Sequence, residues 1–237
     1  MFFLTESHYS DKVSSKKKTT EFISFFCLSE VLMTHLLCLG DSITDCGRLF
    51  HHPPLGNGYV QKLSRKLKST GHDFQIANCG VDGFTTARLL ANAEPFYLSR
   101  RADMISILIG INDIGLMMNT CRSDSQKEEM LRKALLNYEK LLQILSHSCS
   151  RFLLMEPFIF PVPWEYKTWI PHVRSLSLGI GILAEKYGIP YLLLQDTLNR
   201  QAGLLGFHAI TTDGIHLTDA GHEILAEKLF YYLNSYI

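Results

Sequence analysis

Four short segments of the 237-residue chain carry side chains suited to acyl transfer. In the first, Gly40-Asp41-Ser42-Ile43-Thr44, a hydroxyl follows directly on a glycine and an acid. Gly40 permits a tight turn, and a serine opening the next segment is reachable from solvent beside unpaired backbone N–H groups. Such a serine is placed to attack a carbonyl, with its own N–H facing the oxyanion that develops. A helix N-cap is the commoner use of a serine in this setting, so the segment does not decide alone. In the last segment, Asp213-Gly214-Ile215-His216, three-residue spacing around a glycine lets the carboxylate reach the imidazole Nδ1–H. Nε2 then faces outward as a proton acceptor. The alternatives are a surface turn, or half a metal site that no further ligand cluster completes.

Between these lie two candidate sources of oxyanion donors. Asn78-Cys79-Gly80-Val81-Asp82-Gly83-Phe84-Thr85-Thr86 holds two glycines three apart, which bring backbone N–H groups close to a ligand or simply make a turn into a helix. Gly110-Ile111-Asn112-Asp113 offers the Asn112 side-chain amide as a donor, against the plain reading of an Asn-Asp turn. Nucleophile, backbone donor, amide donor, and base with its orienting acid thus come from four segments, and it is the combination that points to a serine hydrolase. Asp41 is expected to shape the nucleophile turn or to touch substrate. Arg48, with His51 and His52, is a candidate for the substrate entrance. Trp164, Tyr166 and Trp169, in the proline- and aromatic-rich stretch 156–169, either wall an acyl or sugar pocket or pack a long loop. His222 is expected on a helix surface, and Asp113 in a turn.

The elements that must position these residues follow from apolar patterning. Short apolar runs at 35–40, 74–78, 103–110, 151–156 and 190–194 read as strands. Helical periodicity covers 59–69, 126–146, 166–187 and 219–234, clearest where Leu131, Leu135, Tyr138, Leu142 and Leu145 recur at three- and four-residue intervals. Thr218 is a suitable N-cap for the last helix. Strands alternating with helices imply parallel pairing, hence an α/β sandwich of about five parallel strands. Such sheets hold their sites beyond the carboxyl ends of the strands, where the loops after strands one, two, three and five lie.

Composition narrows the class. A chain of this length, 46% hydrophobic, suits one compact domain with a real core. Lys plus Arg equals Asp plus Glu, at 23 each, so no basic footprint favours nucleic acid. The six cysteines (Cys27, Cys38, Cys46, Cys79, Cys121, Cys149) form no CxxC pair, which argues against a disulfide scaffold or zinc site and for a reducing compartment, the cytoplasm. Residues 21–39 follow Lys16-Lys17-Lys18 and are weakly signal-like. Glu21 and Glu30 interrupt them, no small-residue cleavage site appears, and a membrane span wants about 20 consecutive apolar residues. The expected organisation is an N-terminal extension over residues 1–32 and one domain over 33–237.

GDSIT, NCGVDGFTT, GIND and DGIH, in that order, resemble the four blocks of the GDSL, or SGNH, hydrolase family of esterases and lipases. The resemblance covers residues from about 35 to 222. It implies a three-layer α/β/α, flavodoxin-like fold and a Ser-His-Asp catalytic triad, needing neither metal nor cofactor. By motif, the nucleophile falls on Ser42, the acid and base on Asp213 and His216, and the oxyanion hole on Ser42, Gly83 and Asn112. Gly80 competes with Gly83. Ile43 stands where many members have leucine, a conservative departure. With no lid domain visible, the expectation is hydrolysis of short-chain acyl esters, acetyl above long chains, possibly on carbohydrates. A lysophospholipase or thioesterase is the runner-up, and a non-catalytic flavodoxin-like binding module the rival of another class. A panel of esters of graded chain length and a serine-directed probe separate them.

Overall fold

The structure is a computed structural model that describes residues 33–235; the extension expected over residues 1–32 lies outside them. In chain order the elements are β1 (Thr34–Gly40), α1 (Ser42–Asp45), α2 (Tyr59–Ser69), β2 (Phe74–Gly80), α3 (Thr86–Ala91), β3 (Met104–Leu108), α4 (Ile111–Met118), α5 (Asp124–Leu145), β4 (Phe152–Met155), α6 (Ile170–Tyr187), β5 (Tyr191–Leu192), α7 (Gln195–Leu205), α8 (Phe207–Ile210) and α9 (Asp219–Asn234). The five strands form one parallel sheet in the order β2-β1-β3-β4-β5. Each parallel pairing needs a helical return, and the helices cover both faces. That cover is why β3 (MISIL) and β4 (FLLM) are buried at every position rather than alternating. On one side α2 packs against α9; on the other α3, α4, α5 and α6 pack together, giving a three-layer α/β/α sandwich.

Local signals set the helix ends. Ser123 and Gln126 form a reciprocal capping box at the start of α5: Gln126 N–H donates to Ser123 Oγ and Ser123 N–H to Gln126 Oε1. Thr218 caps α9 by accepting from Gly221 N–H at 3.1 Å. The single helix expected over residues 166–187 is two pieces, a 3₁₀ turn Trp164–Thr168 and then α6. Pro171 lies in the first turn of α6, where a missing N–H costs nothing, so it starts a helix there and would break one passing through.

The register brings the site together. Gly40, the last residue of β1, pairs with Gly80 on one side and Leu108 on the other, so three strands end side by side. The segments bearing Ser42, Gly83 and Asn112 leave from those ends. The Asp213–His216 turn does not follow β5 directly, as the loop count from sequence suggested. Helices α7 and α8 intervene, and the turn is closed by an antiparallel bridge between Thr211 and Leu217.

Candidate active site

Ser42 is the first residue of α1, a four-residue helix whose N-cap is Asp41. Asp41 Oδ1 accepts from Ile43 N–H at 3.0 Å, and Ser42 N–H, at the helix start, has no partner among the described residues. Ser42 Oγ lies 2.9 Å from His216 Nε2, and His216 Nδ1 lies 2.6 Å from Asp213 Oδ2. With Nδ1–H donated to the carboxylate, Nε2 is left as the acceptor of the Ser42 hydroxyl's hydrogen bond.

The turn that holds this pair is self-contained. Asp213 Oδ1 accepts from His216 N–H at 2.7 Å and from Ile215 N–H at 2.9 Å. Burial pushes the Asp213 carboxyl up, but the bonds from the His216 ring and these two N–H groups prevail and hold it below the ordinary carboxylate range. Gly214 has φ 95, and a Cβ there would collide with the Val162 carbonyl. Glycine is therefore required twice over, by the left-handed backbone and by the close approach. Thr211 Oγ1 accepts from Gly214 N–H and donates to the His216 carbonyl, bracing both ends of the turn.

The two candidate sources of oxyanion donors differ in what they have left to give. Gly80 N–H is consumed by Asn78 Oδ1 at 2.9 Å, whereas Gly83 N–H has no partner among the described residues. Of the two candidate glycines, Gly83 is the one whose donor is unspent among the described residues. It sits in a turn at φ 69, closed by Phe84 N–H donating to Val81 O. Asn112, in the first turn of α4, donates one amide hydrogen to Phe84 O at 2.9 Å, which aims the other away from that loop. Asp113 is more than a turn residue. Its two carboxylate oxygens accept from Thr86 N–H and Thr86 Oγ1, tying α4 to the start of α3, and burial raises its pKa against those bonds.

Other expected residues are placed differently. Asp41 does not face a substrate: it is 1% exposed and spends one oxygen capping α1, while Oδ2 has no partner among the described residues. Burial pushes its carboxyl up to about 7, against the Ile43 N–H bond. Arg48 turns toward the glycine loop, its Nε donating to Gly80 O at 2.6 Å; His51 and His52 are exposed. Trp164 is 68% exposed and Trp169 is packed in the core, while the Tyr166 ring lies beside Gly214 and between those two tryptophans in sequence. His222 is buried rather than on a helix surface, because α9 turns Gly221, His222, Leu225, Ala226 and Leu229 inward. Its Nδ1 accepts from Tyr59 N–H at 3.2 Å, so Nε2–H donates to Cys46 Sγ at 3.3 Å, and burial lowers its pKa to about 4.

Sequence reading did not foresee the residues that hold the glycine loop. Asn78 Nδ2 donates to Thr44 O, Asp45 O and Leu55 O while Oδ1 takes Gly80 N–H. Asp45 accepts from Arg48 N–H and from Asp82 N–H, one residue before Gly83. A buried asparagine at a strand end next to a glycine was the available signal.

Residues 38–224 match the GDSL-like lipase/acylhydrolase family. The chain belongs to that family. It is accordingly a carboxylic ester hydrolase, and a Ser-His-Asp triad is typical of the group. The chain is 28% identical over 207 residues to an acetylxylan esterase of Geobacillus stearothermophilus, covering 81% of this chain and 90% of the other. A solved structure of the acetylxylan esterase Axe2 from that organism superposes with TM-score 0.72 at 25% identity, over 84% of this chain and 93% of that one. Aspartate-to-alanine and serine-to-alanine forms of Axe2 are catalytic mutants. LAE5, an α/β hydrolase from the metagenome of Lake Arreo, shares the fold, with TM-score 0.74 at 22% identity over 85% and 95% of the two chains. Among the described residues no helix is long and apolar enough to cross a membrane.

Proposed function

We propose that the protein is a serine esterase working through an acyl-enzyme, and that short-chain acyl groups on carbohydrates, acetyl first, are its substrates. The observation that carries this reading is the unbroken chain Ser42 Oγ–His216 Nε2–Asp213 Oδ2, at 2.9 and 2.6 Å. His216 takes the Ser42 proton as Oγ attacks the carbonyl. Ser42 N–H, Gly83 N–H and the free Asn112 amide hydrogen hold the oxyanion. His216 returns the proton to the departing alcohol, and water repeats the sequence on the acyl-enzyme. Asp213 fixes the tautomer and stabilises the imidazolium throughout.

The substrate class is supported by the openness of the triad and by the acetylxylan esterase relative. The Asp213 and His216 side chains keep 49% and 47% of their surface, as suits an ester carried on a bulky hydrophilic scaffold. The test is a panel of p-nitrophenyl esters from acetyl to long-chain acyl, together with acetate release from acetylated xylo-oligosaccharide. The expected result is highest kcat/KM at acetyl and Ser42-dependent acetate release. A maximum at long chains instead indicates a lysophospholipase or thioesterase and overturns the substrate assignment.

A further inference from the structure

Beside the glycine loop, on the side of the β2 edge, is a cleft of about 210 Å³ to which no step of the ester hydrolysis above assigns a role. Arg48, Val81, Asn92, Phe96, Tyr97 and Arg100 line it. Asn92 spends its amide on Arg88 O, but the two arginines and the tyrosine keep donors in reserve. Arg48 commits only Nε, to Gly80 O, with Asp45 Oδ1 a further 3.6 Å contact of the same nitrogen; its Nη groups have no partner among the described residues. The Arg100 side chain likewise has no hydrogen bond or ion pair among them. Tyr97 is 5% exposed, yet its hydroxyl has no hydrogen-bond partner among the described residues. The hydroxyl opens on the cleft rather than being sealed in the core, so it can donate to a ligand acceptor there. Burial, with the Cys79 thiol beside it, pushes the Tyr97 phenol up to about 12, while the positive charges of Arg48 and Arg100 pull the other way. No carboxylate lines the cleft, and Phe96, 57% exposed, gives it an aromatic side.

Two guanidinium groups and a phenol lining one cleft, with Asp45 reaching the Arg48 guanidinium only at Nε, are suited to a planar or tetrahedral oxyanion, which arginine grips through paired N–H groups. The cleft and the oxyanion donors share one wall: Arg48 holds Gly80 and Val81 lines the cleft, while Gly83 ends the same turn. We infer that this cleft binds an anionic substituent of the ester substrate, a carboxylate such as that of a uronic acid or a phosphate, and so selects acyl esters on charged sugars. The inference rests on the esterase reading, with Ser42 as nucleophile.

The experiment compares an O-acetylated glucuronic acid with its C6 carboxamide, alike except for the charge. The expected kcat/KM favours the carboxylate by about tenfold, and the ratio falls to near one in Arg100→Gln, in Tyr97→Phe to a lesser degree, and with rising ionic strength. Equal kcat/KM for acid and amide, with both turned over, overturns the cleft and leaves the esterase standing. Failure of Ser42-dependent turnover of either overturns the esterase reading; the cleft is then judged by calorimetric titration of the Ser42→Ala protein with free glucuronate. Saturable binding that is lost in Arg100→Gln upholds the site, and no binding overturns it. An O-acetylated sugar phosphate in the same series identifies the anion: a larger Arg100-dependent preference for it assigns phosphate as the source.

Discussion

Beside the proposed nucleophile, Asp41 is 1% exposed and caps its own helix, and Asn78, 7% exposed, is tied to the segments of residues 44–45 and 55. Across the site, the Asp213 and His216 side chains are about half exposed, and their bonds are almost all made within one turn. The donor side has to be rigid because three strand ends contribute to it and an oxyanion rewards donors only where they are already aimed. The acid–base pair needs only five residues to keep its geometry, and remains open to the alcohol that leaves and the water that enters. Substitutions on the two sides should therefore fail in different ways, one through chemistry and the other through folding as well.

The sharpest break on the open side is Asp213→Asn. An amide cannot hold the Nδ1–H tautomer, so kcat is expected to fall by about 10³–10⁴ with the thermal midpoint nearly unchanged. A kcat within tenfold of the parent would remove Asp213 from the account. On the donor side, Asn112→Ala should lower kcat by roughly 10²–10³ with a milder change in KM, measured on p-nitrophenyl acetate. Asn78→Ala sharpens the contrast, since it strands three carbonyls and the Gly80 N–H in a buried site. Its expected cost is about 2–4 kcal/mol in urea unfolding, and a stability equal to that of Asp213→Asn would contradict the division of labour.

How much of this was legible in sequence depended on the kind of residue. Helix α9 matches the reading over residues 219–234, and α2 that over 59–69, because long amphipathic periods with a capping threonine or a following turn leave little freedom. Helices α3, α7 and α8 were not foreseen, nor α4, whose eight residues INDIGLMM are apolar on most sides and contain a glycine. The motif residues were readable because their spacing is chemical: a carboxylate three residues before an imidazole reaches it across one turn. Asn78, Asp45 and His222 were not, because each acts across more than 30 residues of chain, on partners that only the parallel register brings near. The family resemblance favours Gly83 over Gly80 where residue type alone does not separate them, and the physical difference is that the Gly80 N–H is spent on Asn78.

The smallest expected effect concerns pH. Burial raises the Asp41 carboxyl from 3.8 to about 7, so the folded protein keeps a proton that the unfolded chain releases. Stability that is fully present below pH 3.8 is therefore lost progressively as pH rises through about 7. Asp41→Asn cannot titrate, and its thermal midpoint relative to the parent should climb across that interval. A difference independent of pH would mean that the buried oxygen is compensated in solution.

The most direct test of the central claim is covalent capture of the nucleophile. Folded protein treated with a fluorophosphonate and mapped by peptide mass spectrometry should carry one adduct, on Ser42, formed in step with loss of esterase activity. It should be nearly absent in His216→Ala, whose serine has no base. Inactivation with the adduct on another residue, or persistent activity with Ser42 fully modified, would contradict the account.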